Sequence, residues 1–150
     1  MLLKGFYAIT DEHLTPHETI LAQVEEALSA GVGILQYRNK TLSDAQIEPV
    51  CLRLQALCRE YGALFIIDDR PRLAQKIGAD GLHIGQHDTE LSLARKIFPD
   101  GIIGVSCYGS VRKALEAQKA GADYVAFGSF FPSPTKPLSG IVPISVLSRA

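Results

Sequence analysis

Short polar clusters in this sequence each follow an apolar run: Gln36-Tyr-Arg-Asn-Lys40, Asp68-Asp69, Gln86 with Asp88, Ser106, and Ser133-Pro-Thr-Lys136. Arg38, Lys40 and Lys136 are cations suited to phosphate oxygens. Asp68, Asp69 and Asp88 are carboxylates, and an unscreened carboxylate ~4 Å from a diphosphate costs about 4 kcal/mol at an effective dielectric near 20. A divalent cation between them turns that repulsion into ligation. Mg²⁺ takes one or two carboxylates together with phosphate oxygens and water, so Asp69 and Asp88 are the candidate metal ligands. Each aspartate also reads as a helix cap, Asp69 ahead of Pro71 and Asp88 ahead of the helix that follows; the accompanying cations favour the metal-diphosphate reading. In Phe127-Gly-Ser-Phe-Phe-Pro-Ser-Pro-Thr-Lys136, Ser129, Ser133 and Thr135 offer hydroxyls, and Pro132, Pro134 and Pro137 stiffen the loop, lowering the entropy lost on binding an anion. Taken alone, that segment reads equally as a surface turn.

Other reactive side chains form no competing constellation. His83, in Asp80-Gly-Leu-His-Ile-Gly85, sits among apolar neighbours and reads as a packed histidine bonded to a neighbouring barrel residue. His13, His17 and His87 show no metal spacing. Cys51 and Cys58 fall on one face of a predicted helix and Cys107 stands alone; with no CxxC spacing they read as small buried hydrophobes. That usage fits a reducing cytoplasm.

The elements that must carry these residues alternate strictly. Predicted strands cover Gly5–Thr10, Val32–Tyr37, Leu64–Ile67, Gly81–Ile84, Ile102–Val105 and Asp123–Gly128. Between them lie predicted helices: one opened by Thr15-Pro16 and running to Ala30, one capped by Ser43 and running to about Tyr61, and a short one over Pro71–Ile77. Two more span about Glu90–Phe98 and Ser110–Ala120, and a sixth begins near Pro143. Pro49 either kinks the second helix or delays its start. Ala30-Gly, Ile77-Gly and Ala120-Gly each close a helix ahead of a strand, at spacings of 47 and 43 residues. Strand, helix, strand implies parallel strands, whose carboxyl ends gather the polar clusters at one mouth. Thr10-Asp-Glu-His carries no glycine-rich turn after the first strand, which counts against a dinucleotide-binding open sheet. The expected architecture is one domain over residues 1–150, an α/β chain of the (β/α)8 TIM-barrel type, incomplete, with about six βα units, strands seven and eight absent, and strands one and six left as long apolar edges.

Totals narrow the class. The chain has 150 residues, 47% hydrophobic and 21% charged, with a net charge of −1. That balance gives no support for nucleic acid or a membrane surface as partner, each of which favours a basic excess. No apolar run approaches ~18 residues and no charged leader opens the chain, so neither a signal peptide nor a transmembrane helix is expected. The expected partners are phosphorylated small molecules; self-association is left open.

Gln36-Tyr-Arg-Asn-Lys40, Ile67-Asp-Asp-Arg70, Gly78-Ala-Asp-Gly-Leu-His-Ile-Gly-Gln86 with Asp88, Gly104-Val-Ser106 and Phe127 through Lys136 together resemble the thiamine phosphate synthase family over nearly the whole chain. The resemblance implies a barrel that joins hydroxymethylpyrimidine diphosphate to hydroxyethylthiazole phosphate, releasing pyrophosphate and giving thiamine phosphate. It implies that Gln36, Tyr37, Arg38, Asn39, Lys40, Asp68, Ser106 and Lys136 hold the pyrimidine diphosphate, that Asp69 and Asp88 ligate Mg²⁺, and that Ser133, Pro134 and Thr135 meet the thiazole phosphate. Arg38, Ser106 and Lys136 are the residues it assigns to catalysis, by neutralising a leaving group in a dissociative reaction that needs no protein nucleophile. Asp68 stands where the family usually has asparagine, and the family's glycine-rich phosphate loop belongs to strands beyond the six seen. A related barrel, the thiazole tautomerase, and a non-catalytic remnant that binds phosphorylated ligands are the competing readings. Retention of Asp69, Asp88 and Lys136 argues against the first.

Overall fold

The computed structural model describes residues 3–134 and 140–150. Six strands, β1 (Phe6–Ile9), β2 (Val32–Tyr37), β3 (Leu64–Asp68), β4 (Gly81–Ile84), β5 (Ile102–Tyr108) and β6 (Tyr124–Phe127), lie in one sheet in chain order. Every neighbouring pair is parallel. Five helices connect them: α1 (Ile20–Ser29), α2 (Asp44–Glu60), α3 (Pro71–Ile77), α4 (Leu91–Ile97) and α5 (Val111–Lys119).

The sheet is curled. In a flat sheet, five inter-strand steps of about 4.8 Å would part β1 from β6 by roughly 24 Å. Instead the hydroxyls of Tyr7 on β1 and Tyr124 on β6 are 2.7 Å apart. The architecture is therefore an incomplete (β/α) barrel, with both ends of the sheet facing one interior. Its free edges differ from the long apolar edges expected: β1 and β6 have four residues each. Phe6 and Ile9 are 77% and 57% exposed on β1. Short edges offer little backbone for a second chain to pair with.

Period-two alternation divides the core. Leu35, Tyr37, Phe65, Ile67, Leu82, Ile84 and Ile103 turn outward and pack with Ile20, Val24, Leu28, Ile47, Cys51 and Leu54 from the helices. Ile34, Leu64 and Ile66 turn inward and floor the barrel beside Leu3, Tyr7 and Ile102. Above that floor the inward positions become polar: Gln36, His83 and Asp68 are buried. At Gly104 a Cβ would sit 1.8 Å from the Tyr124 ring, so the ring crosses the interior because β5 carries no side chain there.

Local signals account for most helix starts. Ser43 and Gln46 form a reciprocal capping box on α2. Pro49 neither delays nor breaks that helix, for it lies on the exposed face, where the Ala45 carbonyl it leaves without a donor can meet water. The helix expected from Pro16 begins only at Ile20, because the Thr15 hydroxyl instead bonds the Asp11 backbone at both its N–H and its carbonyl. β5 runs past its expected end to Tyr108, so Ser106 lies within the strand. The segment after Pro143 forms a 3₁₀ turn, Ile144–Val146, rather than a helix. No helix among the described residues is long and apolar enough to cross a membrane.

Candidate active site

Lys40 is the centre of the mouth. Its Nζ lies 2.8 Å from Asp68 Oδ2, 3.1 Å from Asp88 Oδ1 and 4.0 Å from Asp69 Oδ2. Arg38 Nε is 4.0 Å from the same Asp68 oxygen. Thus the last residue of β3 and the loops after β2, β3 and β4 bring two cations and three carboxylates together, as the sequence led us to expect of Arg38, Lys40, Asp68, Asp69 and Asp88. Burial opposes the charge on Lys40, but its close contacts with the Asp68 and Asp88 carboxylates outweigh it and raise its pKa. Burial likewise works against the Asp88 carboxylate; the Gly85 N–H, the Lys40 ammonium and the Asp69 side chain together prevail and lower its pKa.

The geometry at Asp68 is less complete than its 2.8 Å ion pair suggests. Asp68 Oδ2 and Arg38 Nε are both fully buried, and neither has a well-aligned hydrogen bond among the described residues. An ion pair close in distance but poor in angle leaves binding capacity for another polar group.

Each aspartate is fixed by neighbours. Asp69 adopts a left-handed backbone, φ 43°, that turns the chain out of β3, and its Oδ1 accepts from both the N–H and the hydroxyl of Thr89. Asp88 Oδ2 accepts from Gly85 N–H at 2.7 Å. The remaining oxygens, Asp69 Oδ2 and Asp88 Oδ1, both face the Lys40 ammonium. Two hard carboxylate oxygens turned toward one cationic point suit a small divalent cation that completes its shell with phosphate and water oxygens. Among the described residues no group of three or more His, Cys, Asp or Glu side chains forms a metal cage of its own.

The Arg38-to-Lys40 loop is held by residues to which the sequence alone assigns no role, although Arg70 stands in the Ile67-Asp-Asp-Arg70 motif. Thr10 Oγ1 accepts from Arg38 N–H. Glu12 accepts from the Lys40 N–H and the Thr41 hydroxyl. Arg70 donates from Nη2 to the carbonyls of Asn39 and Leu42, at 2.9 and 2.8 Å, and from Nη1 to Asp44. Most of these contacts go to backbone atoms, which leave no signature in side-chain spacing; the exceptions are the Thr41 hydroxyl with Glu12 and Arg70 Nη1 with Asp44.

Two of the residues expected to hold the diphosphate turn elsewhere. Tyr37 faces the helices, buried, with its hydroxyl 2.7 Å from His17 Nε2. Asn39 Oδ1 accepts from the N–H groups of Thr41 and Leu42 and so shapes the loop. Strand alternation sends Gln36 and Arg38 inward and Tyr37 outward. The Tyr37 side chain thus packs against the helices, and the Asn39 amide oxygen closes the loop.

Beneath the charges runs a hydrogen-bonded row. Gln36 Nε2 donates to the Tyr7 hydroxyl at 2.8 Å, which meets Tyr124 at 2.7 Å; Tyr124 meets His83 Nδ1 at 2.9 Å, and His83 Nε2 meets Ser106 Oγ at 2.8 Å. Ser106 thus stands at the top of a row that spans β2, β1, β6, β4 and β5. Burial pushes the Tyr7 and Tyr124 hydroxyls upward in pKa, so both remain protonated donors at neutral pH. Ser133 is half-buried and Pro134 exposed in the loop after β6; Thr135 and Lys136 lie outside the described residues.

A parallel (β/α) barrel whose charged groups meet at the carboxyl ends of its strands belongs to the class of barrel enzymes that place their sites there. Residues 6–150 match the family model described as thiamine monophosphate synthase, and the chain belongs to that family. It is 50% identical to the thiamine-phosphate synthase of Acidithiobacillus ferrooxidans over 155 aligned positions, covering 99% of this chain and 70% of that protein. The thiamine-phosphate synthase of Wolinella succinogenes is 45% identical, with 100% and 71% covered. Among solved structures, the thiamine phosphate pyrophosphorylase of Pyrococcus furiosus superposes with a TM-score of 0.79 at 41% identity, covering 86% of this chain and 62% of that one. The chain thus spans about 70% of the length of these curated relatives and less than two thirds of the solved one.

Proposed function

We propose that the protein is a thiamine-phosphate synthase, a transferase of thiamine biosynthesis that couples hydroxymethylpyrimidine diphosphate to hydroxyethylthiazole phosphate with Mg²⁺ and releases pyrophosphate. The observation that carries the reading is the convergence of Asp68, Asp69 and Asp88 on Lys40, with Arg38 beside it. Mg²⁺ held by Asp69 and Asp88 would neutralise charge on the diphosphate oxygens. Arg38 and Lys40 bind and orient the same group, and Arg38 carries a buried N–H without a hydrogen-bond partner among the described residues. Ser106, held by His83, presents its hydroxyl to the leaving group. Lys136, Ser133, Pro134 and Thr135 complete the set assigned to the two phosphates. A reaction driven by departure of a stabilised anion calls for fixed positive charge and hydrogen-bond donors rather than a nucleophilic side chain.

Calorimetry with the pyrimidine diphosphate, with and without Mg²⁺, followed by product analysis with both substrates, tests this. Metal-dependent binding with equimolar thiamine phosphate and pyrophosphate is expected. Binding without product would support the ligand-binding remnant, and absence of Mg²⁺-dependent binding would remove the synthase reading. The phosphorylated ligands are small molecules; a cytoplasmic setting follows from the same reading.

A further inference from the structure

We propose that Lys40 is an internal competitor for the metal: its ammonium occupies the space between Asp69 and Asp88, and a divalent cation entering there expels it toward the anionic ligand. This rests on the metal role proposed for those two aspartates. The two carboxylate oxygens not engaged by Thr89 or Gly85, Asp69 Oδ2 and Asp88 Oδ1, are the ones that face Lys40 Nζ, at 4.0 and 3.1 Å. An ion ligated by both at the usual ~2.1 Å would lie within a few ångströms of the ammonium, and like charges that close repel. Lys40 has somewhere to go. Its side chain is 36% exposed, its backbone N–H stays pinned by Glu12, and four rotatable carbons let the ammonium swing while the loop stays still.

Asp68 tethers the displaced ammonium. Its side chain is only 6% exposed and lies 2.8 Å from the ammonium, yet Oδ2 has no aligned hydrogen bond. An anion bridging Arg38 and the displaced Lys40 would draw both cations onto itself. Metal entry therefore delivers a cation to the anion, and the anion removes the metal's competitor. By linkage each ligand raises the affinity of the other by the same factor.

Mn²⁺ alone, followed by electron paramagnetic resonance, and inorganic pyrophosphate alone, followed by calorimetry, test this on the intact chain. Lys40→Met is expected to bind Mn²⁺ at least tenfold more tightly than the parent without anion, and to lose most of the mutual enhancement between Mn²⁺ and pyrophosphate. Lys40→Gln serves as a second variant should Lys40→Met unfold, and Lys76→Met, which removes a distant surface pair with Glu48, should leave Mn²⁺ binding unchanged. Equal or weaker Mn²⁺ affinity in both Lys40 variants overturns the proposal. Asp69→Asn and Asp88→Asn separate the two readings. If they abolish Mn²⁺ binding while the Lys40 variants do not tighten it, only the competition fails; if they leave it unchanged, the metal site and the competition fail together.

Discussion

Tyr124→Phe is the most informative single change in the barrel interior. The substitution deletes one oxygen and leaves the ring, so Gly104 still receives the same shape. That oxygen joins Tyr7 at 2.7 Å to His83 Nδ1 at 2.9 Å. Half-buried Tyr7 and buried His83 would each lose a partner, and leaving a buried donor or acceptor unsatisfied costs about 1–3 kcal/mol. Tyr7 keeps its bond from Gln36 and His83 keeps its bond to Ser106, which places the total toward the lower half of the combined range, about 3 kcal/mol. For a chain of this length each kcal/mol shifts Tm by about 2–4 °C, so a fall of roughly 6–12 °C is expected. Thermal unfolding followed by circular dichroism measures it, with Tyr61→Phe as control. The Tyr61 hydroxyl is exposed and reaches only Glu25 at 3.4 Å, so that change should stay within about 0.5 kcal/mol. The double variant Tyr7→Phe with Tyr124→Phe should cost less than the sum of the singles, because it removes both ends of one bond. A Tyr124→Phe protein as stable as Tyr61→Phe would refute the view that this row holds the curled sheet.

Arg70→Met should weaken diphosphate binding severalfold without touching the ligand, because it frees the carbonyls of Asn39 and Leu42; unchanged affinity in calorimetry would show that Glu12 and Thr10 hold the loop alone. Asp69→Ala and Asp88→Ala should each abolish Mg²⁺-dependent diphosphate binding while the circular dichroism spectrum persists; retained metal dependence in both reduces them to supports for Thr89 and Gly85. Gly104→Ala should destabilise by about 1–3 kcal/mol or more through overpacking against Tyr124, and urea midpoints within error of the parent would contradict that packing. The pH dependence has a definite sign. Asp88 has its folded pKa lowered from 3.8, so its contribution is full above that value and is lost as pH falls below it. Lys40 has its folded pKa raised from 10.5, so its contribution is full below that value and is lost as pH rises above it. The stability difference between the parent and Asp88→Asn should accordingly be flat between about pH 5 and 9 and shrink in acid; shrinkage near neutrality would contradict the assignment.

The alternation of strands and helices was legible because its punctuation is local. Gly31, Gly62, Gly78 and Gly121 take positive φ at or just past helix ends, and Ser43 with Gln46 marks the second start. It failed where one side chain had two suitors. Thr15 looks like a helix cap, yet its hydroxyl is taken by the Asp11 backbone, and no local rule ranks those two uses. β5 outran its apolar run because Ser106 and Cys107 keep the period of two while changing chemistry, one meeting His83 and the other packing with Ala114 and Ala117.

At the mouth, residue type was a better guide than adjacency. Arg38, Lys40, Asp68, Asp69 and Asp88 came together because parallel strands bring their ends to one side, whatever lies between them in sequence. Within Gln36 through Lys40 the strand alternation still holds, and the Tyr37 side chain goes to the helices as that alternation requires. The Tyr124 ring and the missing side chain at Gly104 answer each other across β5 and β6, a fit that appears only when the register sets Gly104 opposite Tyr124. The polar row lies above a barrel floor of leucine and isoleucine. Each hydroxyl and imidazole in it finds its partner on a different strand, so the row forms when the sheet curls and gives the curl a reason to persist.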